Sequence, residues 1–342
     1  MIQYLLLVLG LVLLVKGADI MVDSAAKIAR HLAVPAIIIG LTIVALGTSA
    51  PEATIGIISG LKGANQVTLG DVIGSSIINI TLIIGLTAIL VPLQVDPLVA
   101  RREIPLSLGV QLVVTLMLLT GSVLTRSESM LLLAGMAAFA FYIGRKTHRM
   151  LEWNRPADAA EDEIFGLFRQ QEALVEDSLA QDRSVAPIMV EQGIPAKLVI
   201  IFLVGLGAML FGADLTVDAS VAIAGQLGLS QEFIGLTLVA FGTSLPELVT
   251  CIVAALRKES DIAIGNVVGS NIFNILFALG LSSTLNPIYI EPHVFVDLAV
   301  MIGATILLFI PAILWKRISR LSGSILLGAY AVYLGFKIVN LG

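Results

Sequence analysis

Two glutamates stand where a chain crossing a bilayer should carry none. Glu52 ends the stretch GLTIVALGTSAPE and Glu247 ends GLTLVAFGTSLPE, each inside a long apolar run. An acid at the centre of a span costs roughly 2.5–3.5 kcal/mol on insertion scales, so its default reading is functional. Each glutamate follows a proline, Pro51 or Pro246, and Gly47 or Gly242 lies four residues before that proline. Proline removes a backbone donor and clashes with the preceding turn, so the helix is expected to break there. The carbonyls freed by such a break are tolerated at membrane depth only beside protein, water or a bound ion. Helical spacing predicts that the oxygens of Thr48 and Ser49 share the face of Glu52, and those of Thr243 and Ser244 the face of Glu247.

Downstream, GDVIGSSIIN and GNVVGSNIFN each place a serine and an asparagine four apart: Ser75 with Asn79, and Ser270 with Asn274. Gly74 and Gly269 beside them predict close helix approach. The set supplies two carboxylates, several hydroxyls, two amides and freed carbonyls. Every one is an oxygen ligand, and no His or Cys is among them, which argues against zinc or copper. About six to eight oxygens that include carboxylates suit Ca2+, and Na+ is a hard cation of similar taste. A single hydroxyl in a span commonly bonds a backbone carbonyl, and one glycine or one proline kink is ordinary packing. Two copies of the whole set are not: windows 40–86 and 235–281 align without a gap and share 21 of 47 positions. Such a repeat fixes the architecture before any other reading.

The elements that carry these residues are membrane spans. The chain has 342 residues, 57% hydrophobic and 13% charged, against about 25% charged in soluble domains. Spans of about 20 apolar residues fall at 3–26, 34–60, 67–91, 104–123, 129–147, 197–221, 229–255, 261–284, 294–314 and 322–340. The fold expected is an all-α membrane protein of ten transmembrane helices, built as two inverted five-helix repeats (1–147 and 196–342) with broken core helices. The polar stretch 148–195 joins them. The N-terminal run has no basic segment and no cleavage site, so it reads as the first span rather than a signal peptide. Cys251, the sole cysteine, excludes an internal disulfide and a cysteine metal cluster.

Orientation follows from lysine and arginine in the connections. With the N-terminus outside, the inner segments hold 16 of them and the outer segments 3, namely Lys62, Arg126 and Lys337, leaving Lys16 within a span. Both termini are therefore expected outside and the linker in the cytoplasm. Copies with an odd number of spans run in opposite senses, the arrangement of secondary transporters. The linker is acidic, and Ile164, Phe165, Leu167, Phe168 and Leu174 lie broadly on one side of a possible amphipathic helix. It lacks the spacing of an EF-hand. Asp19 and Asp23, like Asp214 and Asp218, form i, i+4 pairs near span ends and read as interfacial groups that pair with Lys16 or Lys27.

At GTSAPE with GSSIIN, and GTSLPE with GSNIFN, the chain resembles the cation/Ca2+ exchanger superfamily and its two α-repeats. The similarity covers most of both halves, including the matched GAD segments at Gly17–Asp19 and Gly212–Asp214. The GTSxPE form is similar to that of the prokaryotic Na+/Ca2+ branch; the GNxxE-type motif of the H+-coupled branch is absent. The resemblance implies that Glu52 and Glu247 are the main ligands, shared between Ca2+ and Na+. It implies oxygens from Thr48, Ser49, Ser75, Thr243, Ser244 and Ser270, backbone oxygens of Ala45 and Ala240 for Na+, and Asn79 and Asn274 closing the middle. Many K+-dependent relatives carry Asp where this chain has Asn274, which argues for K+ independence. Asp71, opposite Asn266 in the repeat, departs from the symmetry and is expected at a span edge. The function implied is Na+/Ca2+ antiport by alternating access in a prokaryotic inner membrane. Ca2+/H+ exchange and K+-dependent exchange are the alternatives, with a cation channel less favoured because channels use oligomeric rings. No catalytic constellation points to an enzyme. No cofactor, nucleic acid or obligatory protein partner is expected beyond the bilayer and the two ions.

Overall fold

The computed structural model describes residues 2–32, 34–63, 65–121, 123–153, 195–226, 240–292 and 294–341. Its helices are α1 (Ile2–His31), α2 (Ala36–Thr48), α3 (Ala50–Lys62), α4 (Gln66–Leu90), α5 (Val99–Thr120), α6 (Arg126–Trp153), α7 (Ala196–Gln226), α8 (Leu245–Leu256), α9 (Ser260–Leu285), α10 (Val294–Trp315) and α11 (Arg320–Leu341). Four two-residue strands punctuate them: β1 (Leu93–Gln94), β2 (Val123–Leu124), β3 (Ile288–Tyr289) and β4 (Arg317–Ile318). Among the described residues eight helices are long and apolar enough to cross a membrane, and α2 with α3 forms one further span bent by 48°. A single turn at Ala240–Gly242 leads into α8. Residues 227–239, assigned from sequence to the first half of that span, and the linker segment 164–174 lie outside the described residues. Helix α6 runs on to Trp153, past the end expected at 147.

Burial separates a centre from a rim. Of the apolar window of α9, 94% is buried, and of α4, 78%; for α11 the share is 11%. The two GxS-containing helices are thus the core. Ile77, Ile80, Ile83 and Ile84 of α4 and Ile272, Ile275 and Leu279 of α9 fill it. Leucines and valines of α1, α5 and α11, such as Leu5, Val12, Leu116 and Val332, are exposed, which is what lipid contact requires of a span.

The two copies meet as counterparts. A Cβ on Gly10 would run into Gly212 and Thr216, and a Cβ on Gly17 into Gly205 and Met209. Numbers rise along α1 while they fall along α7, so the helices are antiparallel. Gly10 and Gly205 are repeat equivalents (205 − 10 = 195), as are Gly17 and Gly212 (212 − 17 = 195), so each helix offers the same glycine patch to the other. Lipid provides no hydrophobic drive between helices, and small residues bring backbones close enough for dispersion to hold them. The strands repeat the relation. β1 pairs β4 through Leu93 and Ile318, and β2 pairs β3 through Leu124 and Ile288. Exchanging the copies turns one pair into the other (288 − 93 = 195; 318 − 124 = 194). Because α5 separates β1 from β2, the ribbons sit at opposite ends of the bundle. Between them, Thr305 Oγ1 donates to Gln111 Oε1 at 2.7 Å; these too are counterparts (305 − 111 = 194), so α5 and α10 cross near the axis that relates the halves.

Charged groups at the helix ends are paired. Lys146 Nζ lies 2.6 Å from the fully buried Glu103, and Lys337 Nζ lies 2.8 Å from Asp297. The α1–α7 contact yields a direct test. Gly17→Val would force the two backbones apart and is expected to lower stability by about 1–3 kcal/mol, the usual cost of overpacking, read as a lower unfolding midpoint in detergent. The same substitution at Gly328, which has open space around it, should leave the midpoint within error.

Candidate cation site

Both helix breaks are built alike. Ser49 has φ −83°, ψ 10° and Ser244 has φ −88°, ψ 3°, in the sparsely populated bridge region. Pro51 and Pro246 then fall in the first turns of α3 and α8, where a missing N–H costs nothing. The break therefore lies at the serine rather than at the proline. A continued helix would press the proline ring on the carbonyl four residues back, and the chain turns early to avoid it. Glu52 and Glu247 follow in the first turns of α3 and α8 and are fully buried. The positive end of a helix dipole favours a carboxylate there.

The bend redirects the hydroxyls. Uninterrupted helical spacing would leave Thr48 and Ser49 to Glu52, but their hydrogen bonds cross to the other copy. Ser49 Oγ donates to Glu247 Oε1 at 3.3 Å, and Ser270 Oγ donates to the same oxygen at 3.4 Å. Thr48 Oγ1 donates to Asn266 Oδ1 at 2.9 Å and lies 3.3 Å from Ser270 Oγ. One glutamate is thus held by serines from both repeats.

Each asparagine opens a π-helical turn, Asn79–Ile84 and Asn274–Leu279. Such turns recur at functional sites because they loosen the backbone ladder locally. Asn79 Nδ2 donates to Asn271 Oδ1 at 3.0 Å, and Asn274 Nδ2 donates to Ser75 Oγ at 3.4 Å. Asn271 Nδ2 in turn donates to the Ser76 carbonyl at 3.4 Å. With their nitrogens engaged, both site asparagines keep Oδ1 free.

The unpartnered atoms decide what the site can hold. Both carboxylate oxygens of Glu52, Oε2 of Glu247, Oδ1 of Asn79 and of Asn274, and Oγ of Ser244 are buried without a hydrogen-bond partner. A buried acceptor left unmade costs about 1–3 kcal/mol, more when charged. These six oxygens from the predicted residues match the donor type and number that a hard cation takes.

Other expectations divide. The Ala45 carbonyl accepts the Ser49 N–H at 3.0 Å and Thr48 Oγ1 at 3.3 Å, so the break itself uses this oxygen. Ala240 starts the turn before Gly242. Gly269 does permit close approach, since a Cβ there would meet the Leu41 carbonyl and Ala45; around Gly74 there is open space. Gly74 lines a cavity instead of a helix contact. Asp71 lies in the second turn of α4, accepts from Thr243 Oγ1 at 3.5 Å, and its Oδ2 is buried. Sequence reading missed Asn266 and Asn271. A signal was present, because positions 71 and 76 and their counterparts are polar in both copies of an otherwise apolar run.

Next to β1 lies a cluster of charge. Arg257 binds Asp19 at 2.7 Å and Asp23 at 2.9 Å, Lys27 binds Asp23 at 2.6 Å, and Arg30 binds Glu259 at 3.1 Å. The neighbouring Asp19 carboxylate holds the Arg257 guanidinium above its ordinary value. Lys27 is the partner expected for Asp23; Arg257, from the other repeat, is not readable from spacing.

The pattern of the sodium/calcium exchanger protein family matches residues 2–145 and 197–339. The sodium/calcium exchanger MaX1 of Methanosarcina acetivorans is 34% identical over 364 residues, covering 97% of each chain. The inner membrane protein YrbG of Escherichia coli is 34% identical over 333 residues, covering 96% of this chain and 94% of its own. A solved structure of the sodium-calcium exchanger NCX_Mj is similar at a TM-score of 0.76 with 30% identity, covering 98% of each chain. With the repeated glutamates, the matched breaks and a fold shared end to end, the chain belongs to the sodium/calcium exchanger family of multi-pass membrane antiporters.

Proposed function

We propose that this protein exchanges Na+ for Ca2+ by alternating access, without K+. Its architecture in this reading is ten spans in two inverted five-helix repeats, 1–147 and 196–342, with 148–195 as a cytoplasmic linker and both termini outside. The observation that carries it is the set of six unpartnered buried oxygens, three of them from Glu52 and Glu247. Glu52, Glu247, Asn79, Asn274 and Ser244 would bind the ions directly. Thr48, Ser49, Ser75, Thr243 and Ser270 would hold or join them, with Ala45 and Ala240 as backbone contributors. Antiparallel α1 and α7 support the inverted arrangement, and the names of MaX1 and NCX_Mj support the ion pair.

Exchange follows from charge. Two carboxylates balance one Ca2+ or two Na+. An ion-free site would carry two uncompensated carboxylates across the membrane, at several kcal/mol for each buried ion. Loaded forms cross and the empty form does not, which couples the two fluxes. The asymmetry between faces supports alternation. On the β1–β4 face Arg257 clamps Asp19 and Asp23. The equivalent trio on the other face is Lys62, Asp214 and Asp218 (257 − 195, 19 + 195, 23 + 195), all exposed, and among the described residues no ion pair joins them. An ion-pair latch present on one face with no counterpart among the described residues on the other is the kind of asymmetry that one end state of a rocking carrier would have. The K+ independence argued from Asn274 counts two site acids, and Asp71 adds a third at another position, so potassium needs its own arm in the test.

The experiment is 45Ca2+ uptake into proteoliposomes with outward Na+, K+ or H+ gradients in turn. Only the Na+ gradient should drive uptake; uptake that needs K+, or that follows H+ alone, would overturn the reading. Glu52→Gln and Glu247→Gln should each cut Na+-driven uptake at least about a hundredfold, since losing a partner of a buried charge costs about 3–5 kcal/mol. Arg257→Gln should shift the balance of end states. Apparent Ca2+ affinity should rise on the β1–β4 face and fall on the other by about two- to fivefold, the worth of partly exposed ion pairs.

A further inference from the structure

A third acid lies half-buried between the β2–β3 ribbon and the central site. A cavity of about 510 Å3 is lined by Gln66, Gly70, Asp71, Gly74 and Ser75 of α4 together with Thr243. Val67, Leu69, Ile73 and Ile78 of α4 also line it, so the cavity runs along much of that helix between residues 66 and 78. From residue 66 to 75 it runs about 14 Å at the helical rise. It begins beside Tyr289 and Glu291 near the β2–β3 ribbon and reaches Ser75, which accepts from Asn274. A Cβ built on Gly70 or Gly74 meets nothing within 4 Å, so both glycines face open space.

Asp71 sits midway along this stretch. Thr243 fixes Oδ1, while Oδ2 is buried and without a partner. Among the described residues Asp71 makes no ion pair, and Lys337, a cation of the same cavity, is taken by Asp297 at 2.8 Å. The repeat counterpart, Asn266 (71 + 195), is a neutral amide, fully buried and bonded to Thr48. The carboxylate therefore exists on one side only.

We infer that Asp71 forms an additional binding station for a hard divalent cation between the β2–β3 face and the central glutamates, adjoining the central set through Thr243 and Ser75. It rests on the exchange reading above. A fixed carboxylate in a cleft with low-dielectric walls concentrates cations about 10–1,000-fold. An ion held at Asp71 is one helical turn from Ser75 and from there one turn from Asn79. The opposite path has an amide at the equivalent place and gains no such capture. The two faces of a nearly symmetric protein thereby differ in how readily they load Ca2+.

The test compares wild type, Asp71→Asn and Asp71→Glu in proteoliposomes, with half-saturating Ca2+ measured separately from each face. Asp71→Asn should raise the half-saturating Ca2+ about tenfold on the β2–β3 face, leave the other face unchanged and keep the maximal rate. Asp71→Glu, which keeps the charge, should stay near wild type. Equal values for wild type and Asp71→Asn, or an equal rise on both faces, would overturn the inference while leaving exchange intact. If wild type shows no Na+-driven uptake, the exchange reading fails instead. Equilibrium 45Ca2+ binding to the detergent-solubilised chain then still decides the station: one fewer bound Ca2+ in Asp71→Asn supports it, and an unchanged count refutes it. The same binding count serves if either variant reconstitutes poorly.

Discussion

Two carboxylates buried at membrane depth set the terms for the rest of this structure. Glu52 and Glu247 are fully buried, and three of their four oxygens have no protein partner. The desolvation penalty of such ions is several kcal/mol each, and the protein offsets only part of it. Each glutamate sits at a helix start, where the dipole favours negative charge, and Ser49 and Ser270 attend one oxygen of Glu247. Making those helix starts inside a span requires the breaks at Ser49 and Ser244. The breaks require prolines just inside the new helices and tightly packed neighbours to cover the freed backbone. The asparagines bind nitrogen-first to opposing helices, which turns their oxygens into further acceptors. An arrangement this rich in acceptors and this poor in donors is what a bound cation would complete, as the proposed function requires.

The features legible in sequence were local ones. A glutamate after a proline in an apolar run, repeated once, identifies itself, and so does the antiparallel sense of the halves, through an odd number of spans and reversed loop charge. What spacing could not give was direction after the break. Treating 48, 49 and 52 as one helix assigns Thr48 and Ser49 to Glu52, but the 48° bend sends them to Asn266 and Glu247. Asn271 was passed over because the repeat pairs it with Ser76 rather than with an identical residue. Only the three-dimensional crossing of α4 and α9 shows it bonding Asn79. Helix α4 begins within a residue or two of the expected span start, so Asp71 falls in its second turn; its bond to Thr243 of the other copy is what spacing could not show. Gly74 shows that glycine can serve an empty space as well as a contact.

The counterpart contacts explain why such a chain can have two states of similar energy. Gly10 meets Gly212 and Gly17 meets Gly205, so exchanging the halves returns the same interface. The same holds for the β1–β4 and β2–β3 ribbons. If each half adopted the conformation of the other, these contacts would re-form with the roles of the faces reversed. The energy difference between the two arrangements is then set by the positions at which the halves differ, and not by the bulk of the packing. Glycine-lined α1 and α7 suit that exchange, because backbone against backbone offers no interlocked side chains to withdraw.

The halves differ at 26 of the 47 positions in their best-matched windows, and two of the differences in charge concern the site and its surroundings. Arg257 is a guanidinium that binds two carboxylates at once; its counterpart Lys62 is an ammonium, a single point of charge on a flexible stem. The ion-pair cluster on the β1–β4 face is therefore geometrically better defined than any its counterpart could make. Under the exchange proposed above, that difference would favour opening on the β2–β3 face. Asp71 against Asn266 would act in the same direction, since it places an extra carboxylate beside the cavity near that face. A perfectly symmetric inverted repeat would have no preference between faces, so any sidedness must come from positions such as these at which the halves differ.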